Sequence, residues 1–76
     1  MGETRQLYFV YDGDAQNGET VVDMRGEEHI PARGDLIQRR GRTWKVVQVS
    51  REDSMTPGGP VPIYRIFLTS DLKLPI

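Results

Sequence analysis

Five short runs of β-forming residues, separated by turn-forming residues, cover most of this 76-residue chain. No window has the three- and four-residue apolar spacing of an amphipathic helix, and at most one helical turn is expected near residues 70–72. We therefore predict an all-β protein. The predicted strands are residues 7–11, 19–24, 35–39, 42–50 and 63–68.

Glycine and proline mark the predicted connections. Arg40-Gly41 is predicted to close a tight hairpin between the third and fourth strands, and Asn17-Gly18 to close one between the first and second. Residues 54–62 contain three prolines and two glycines. We expect this segment to be a long, irregular and mobile loop.

Five strands in so few residues must hide their edges, which favours closure of the sheet. Residues 1–76 are predicted to form a single small β-barrel domain, built from two hairpins and a C-terminal strand. An SH3-like barrel is favoured over an OB-like one, because the chain has no room for the helix that is common in OB folds.

Apolar residues occur on both faces of several predicted strands. In the last strand, Ile63 and Phe67 flank Arg65 on the face opposite three other apolar side chains, and Phe9 lies in a similarly two-sided first strand. A bulge near Val46 would absorb part of the excess. Since one small barrel has one interior, we predict that Phe9, Ile63, Arg65 and Phe67 contribute to an interface with a protein partner or a second copy, most simply in a dimer.

Charge is distributed unevenly along the chain. Residues 1–30 have a net charge of −5 and residues 31–51 a net charge of +5, within a total of −1. This asymmetry predicts either an attraction to a polyanion or, more simply, pairing between the two halves of the fold.

The basic hairpin around Arg40-Gly41 is the main candidate binding site. Arg39, Arg40, Arg42 and Lys45 surround its tip beside Trp44, the only tryptophan. Arginines at a hairpin tip can contact phosphates, and a tryptophan can stack on a base. The alternative is that these charges only solubilise an edge hairpin. We expect the three arginines to be unnecessary for folding and Trp44 to be necessary.

The sequence indicates no catalytic residues, no metal site and no cofactor. The only histidine, His29, precedes a proline in a predicted loop, and no nucleophile with a partner base is evident. Residues 12–23 have acids at the first, third and twelfth positions of a calcium loop, but Asn17 occupies the position that needs glycine. We therefore predict that the protein is not an enzyme.

The chain has no cysteine and no apolar segment long enough to cross or anchor in a membrane, so a cytoplasmic location is expected. The sequence favours a non-enzymatic interaction module that acts through protein–protein contacts or self-association. Small chains of this kind are common among phage and mobile-element products, such as assembly subunits and inhibitors of host systems. The alternative function is binding of nucleic acid or a nucleotide by the basic hairpin.

Overall fold

The computed structural model describes residues 4–75, which form one five-stranded sheet without a helix. The sheet order is β2-β1-β5-β4-β3, and the sheet curls into a half-barrel whose edge strands are β2 and β3. The predicted all-β fold of five strands is confirmed; the finer SH3-like assignment stays a prediction. The strands are Arg5–Tyr11 (β1), Asp14–Asp23 (β2), Leu36–Arg39 (β3), Arg42–Thr56 (β4) and Gly59–Thr69 (β5).

Two tight turns of the same type close the first two hairpins. Asp12-Gly13 and Arg40-Gly41 each have two consecutive positive φ angles, which identifies type I′ turns and matches the twist of the flanking strands. The predicted Arg40-Gly41 turn is confirmed. The prediction that Asn17-Gly18 closes the first hairpin is wrong, because both residues lie within β2, in a stretch where the pairing with β1 shifts register.

A bulge in β4 explains how its apolar residues are divided between the two faces. Val46 lies opposite Leu68, whereas Gln48 lies opposite Phe67, so Val47 is the extra residue. After the bulge, Val49 packs against the core on the same face as Val46. The bulge predicted near Val46 is therefore present.

The prediction that residues 54–62 form an irregular loop is wrong. β4 and β5 continue their antiparallel pairing to Thr56 and Gly59, and Pro57-Gly58 form the turn. Pro60 and Pro62 are tolerated because they lie beyond the part of β5 that pairs with β1, where an N–H is not needed for a second ladder. Residues 53–62 thus form a two-stranded arm, and the molecule measures 42 × 25 × 22 Å.

The core lies on the concave face of the half-barrel. β1 and β5 pair in parallel at the centre of the sheet, with Phe9 opposite Ile66 and Tyr11 opposite Leu68. Their alternate residues face inward and meet side chains from β4. The buried cluster consists of Leu7, Phe9, Tyr11, Trp44, Val46, Ile66 and Leu68.

Candidate functional site

Arg39, at the end of β3, reaches across the open side of the half-barrel. Its Nε donates hydrogen bonds to the hydroxyl of Tyr11 at 2.9 Å and to Oε1 of Glu19 at 3.0 Å, and its Nη2 also pairs with Glu19. The guanidinium lies 4.0 Å from the ring centroid of Phe9. Arg39 is therefore a structural bridge between the two edge strands rather than a free cation.

The other two arginines of the basic hairpin also contact the protein itself. Arg40 donates to the carbonyl oxygen of Asn17 at 2.9 Å and lies 4.0 Å from the ring centroid of Tyr11. Arg42 lies 5.2 Å from the ring centroid of Trp44. The basic hairpin thus faces the acidic first hairpin, as expected if the two charged halves of the chain complement each other.

Trp44 and Lys45 do not form an exposed binding platform. Trp44 is 5% exposed, packs edge-on against Tyr11 and donates its indole N–H to the carbonyl oxygen of Arg39 at 2.9 Å. The hypothesis that it stacks on a base is therefore wrong, because its ring is in the core. Lys45 points to the outer face, where its Nζ donates to the carbonyl oxygen of Leu74 at 2.6 Å.

The contacts among Arg39, Glu19 and Tyr11 are accompanied by shifts in the pKa values of Glu19 and Tyr11. Hydrogen bonds from Arg39 and Tyr11 hold the pKa of Glu19 below its ordinary value, although partial burial opposes this. Burial raises the pKa of the Tyr11 phenol. Glu19 is thus held as a carboxylate facing Arg39.

The predicted interface set is divided by the sheet. Ile63, Arg65 and Phe67 share the convex outer face and are half-buried, so they remain accessible to a partner. Phe9 is only 4% exposed and faces the core. Its assignment to an interface is wrong. Phe9 lies opposite Ile66 in the β1–β5 ladder, so its side chain points to the same buried face as that of Ile66.

A cavity of about 300 Å³ opens on the side of the half-barrel that does not close, where residues of β1, β2 and β3 line it. Apolar side chains of Leu7, Phe9, Val21 and Ile37 line it together with His29 and Arg39. This volume is at the small end of the range for ligand sites.

Asp23 is a structural carboxylate that the sequence did not reveal. It is 6% exposed and accepts hydrogen bonds from Arg5 Nε at 2.9 Å and from the backbone N–H of Glu28 at 2.9 Å. Burial alone would raise its pKa, but these bonds, with backbone N–H groups of Glu27 and Arg25, lower the pKa to about 2. Only the pairing of Arg5 with Asp23 across β1 and β2 could have indicated this site.

The arm carries the large apolar side chain with the highest exposed fraction among the described residues. Met55 is 77% exposed near its tip. Charged residues precede it on β4, where Glu52 forms an ion pair with Arg65 of β5, and Arg51 Nη2 lies 3.3 Å from Asp53 Oδ1. The arm therefore presents Met55 beyond a stretch of β4 that carries charges of both signs.

Comparisons with protein-family models, with curated proteins and with solved structures found no match to this chain. Within residues 4–75, no helix is long and apolar enough to cross a membrane. The same residues contain no group of three or more His, Cys, Asp or Glu side chains arranged to hold a metal ion.

Proposed function

We propose that this protein is a non-enzymatic binding module that acts through protein–protein contacts or self-association, with the arm as its contact surface. The observation that carries the proposal is the shape of the β4–β5 hairpin. Residues 53–62 extend beyond β1 as two strands without a third, and they carry the highly exposed Met55. A two-stranded ribbon is only marginally stable by itself, and an unpaired strand edge is a template for another chain.

The half-buried residues Ile63, Arg65 and Phe67 on the outer face of β5 extend this contact surface toward the body of the sheet. For a chain of this size we propose the role of an assembly subunit or an inhibitor of a host system, encoded by a phage or mobile element. We also propose a cytoplasmic location, in keeping with a sequence that contains no cysteine.

Nucleic-acid binding by the basic hairpin has less support. Arg39 and Arg40 are bonded to Glu19 and Asn17, so they would have to exchange these contacts for phosphates. Trp44 is buried and offers no ring face for stacking.

A shortened-arm variant tests the proposed function. Residues 53–62 are replaced by Asn-Gly, which joins Glu52 to its ladder partner Ile63 through a type I′ turn. Native mass spectrometry of the protein purified from its own source should show the parent with a protein partner or a second copy. The shortened variant should fold but lose that partner.

The matched control keeps the arm and removes three cations from the basic hairpin by Arg40→Gln, Arg42→Gln and Lys45→Gln. It should retain the partner, since Arg39 and the arm are unchanged. Loss of the partner in this control but not in the shortened variant would contradict the proposed function, as would a parent that retains nucleic acid and no protein.

A further inference from the structure

The outer edge of β4 has a stretch of backbone without a partner strand. β3 pairs with β4 only along residues 42–45, and the N–H and C=O groups of Val46 bond to Asp35 and Gly34 at 2.9 and 2.8 Å. Along residues 48–56, no described residue pairs with this edge. The free edge therefore runs from the end of the bulge to the tip of the arm, and its midpoint is Glu52.

The prolines of β5 show which backbone groups point to the free edge. Pro60 and Pro62 lie opposite Met55 and Asp53, and a proline has no N–H to donate. These two pairs must therefore be the ones whose backbone groups do not bond across the β4–β5 ladder. Because the pattern alternates, the N–H and C=O groups of Val49, Arg51, Asp53 and Met55 all point outward.

Only one antiparallel pairing of this edge with itself brings complementary side chains together. With a two-fold axis at Glu52, Arg51 lies opposite Asp53 of the second copy, and Val49 lies opposite Met55. All four residues face the concave side, as their partners on β5 do. The backbone N–H and C=O groups of the same four residues point outward. The residues whose side chains meet are therefore also the ones that form backbone hydrogen bonds between the two copies.

Neighbouring registers lack this complementarity. An axis at Arg51 or at Asp53 places that residue opposite its own copy, so that like charges meet directly. An axis at Ser50 or Ser54 leaves Asp53 opposite an apolar side chain. The axis at Glu52 also brings two glutamates together, on the outer face where each pairs with Arg65 of its own chain. It is favoured because it adds two Arg51–Asp53 pairs between the copies, which the other registers lack.

We therefore propose that the outer edge of β4 is a self-recognition surface, on which two copies of this chain pair antiparallel about a two-fold axis at Glu52. The proposal rests on the proposed function and names its partner as a second copy. It also gives Met55 an apolar contact with Val49 of the other copy, a residue that packs against the core cluster of that copy.

Charge reversal tests the register. Arg51→Asp alone places two acids opposite each other at both ends of the symmetric pair, and Asp53→Arg alone places two bases there. Each variant should raise the dimer dissociation constant at least about tenfold in sedimentation equilibrium. An equimolar mixture of the two variants should restore association, because every opposed pair is then acid to base. The ion pair within each chain stays broken in the mixture, so its repair cannot explain the recovery.

Arg25→Asp and Glu27→Arg are the matched controls, since both make the same charge changes at exposed positions away from the arm. They should associate like the parent. If Arg51→Asp or Asp53→Arg alone associates like the parent, or if their mixture fails to recover, the proposal is overturned.

Cysteine cross-linking tests the axis itself. The chain has no native cysteine, so Glu52→Cys introduces a single thiol. Directly opposed residues in a pair without backbone hydrogen bonds have Cβ atoms about 4.5–5.5 Å apart, close enough for a disulfide after small adjustment. Glu52→Cys should therefore form a covalent dimer on oxidation. Ser50→Cys alone should not, but it should cross-link when mixed with Ser54→Cys.

Failure of this proposal is distinguishable from failure of the proposed function. A parent that is monomeric in sedimentation at high micromolar concentration, but holds another protein through the arm in native mass spectrometry, would refute only self-pairing. A monomer that also holds no protein partner would refute both.

Discussion

Arg39 on β3 and Glu19 on β2 form an ion pair across the side of the half-barrel where these two edge strands share no backbone hydrogen bond. The hydroxyl of Tyr11 joins the pair by accepting from Arg39 and donating to Glu19. Side chains thus connect the two edges at a position where a closed barrel would have a backbone ladder.

This arrangement changes the expectation that the arginines are unnecessary for folding. Arg39→Gln should lower the free energy of unfolding by about 1 kcal/mol, the modest value reflecting the partial exposure of both partners. Arg42→Gln, whose side chain lies 5.2 Å from the ring centroid of Trp44, should cost less. Chemical denaturation of both variants and of Glu19→Gln in a double-mutant cycle measures the coupling. Additive effects of the Arg39 and Glu19 changes would show that the ion pair does not stabilise the fold.

Stability should fall at acidic pH because of Asp23. Its pKa is lowered from 3.8 to about 2 in the folded protein, so the folded state favours the carboxylate. The stabilisation is complete above about pH 4 and is lost as the pH falls toward 2. Urea unfolding across this range should show the loss in the parent and a flatter dependence in Asp23→Asn. Glu27→Gln, at an exposed position away from the arm, is the control and should follow the parent.

Gly18 should not tolerate a side chain. A Cβ at this position would lie 2.5 Å from Cζ and Oη of Tyr8, so the ring would have to move and give up its hydrogen bond to the carbonyl oxygen of Ala15. Gly18→Ala should destabilise the protein by about 1–3 kcal/mol, as overpacking typically does. Gly58→Ala is the control, because its Cβ would meet nothing closer than 3.9 Å. In a Tyr8→Leu background the cost of Gly18→Ala should shrink; an unchanged cost would place the strain elsewhere.

Amide hydrogen exchange should alternate along the free edge. The N–H groups of Glu52 and Ser54 bond to β5, whereas those of Arg51, Asp53 and Met55 point outward. In dilute solution the outward amides should exchange rapidly and the other two slowly. At concentrations at which sedimentation shows a dimer, the outward amides should become protected. Their continued rapid exchange in a dimer would place the interface on another surface.

The local features of the fold could be predicted because neighbouring residues determine them. The Arg40-Gly41 turn requires only two adjacent residues that can adopt positive φ angles. The number of strands follows from the runs of β-forming residues between the turns. Local signals were ambiguous in the first hairpin, which contains both Asp12-Gly13 and Asn17-Gly18. Both pairs suit a turn. Asp12 is selected in the folded chain, where its backbone N–H donates to the carbonyl oxygen of Leu68 at 2.8 Å and its carboxylate accepts from Ser70.

The sequence by itself determined an all-β chain with a basic hairpin, an acidic hairpin and a bulge near Val46. Only the tertiary structure decided that β1 pairs in parallel with β5, since this contact joins residues far apart in the chain. That pairing buries Phe9, while the β3–β4 hairpin buries Trp44 against Tyr11 and opposes Arg39 to Glu19. The pairing of β1 with β5 begins only at Ile63, so the proline-rich segment before it becomes an arm whose outer edge is free. Strand pairing between distant segments depends on the whole set of packed faces, which no local run of residues specifies.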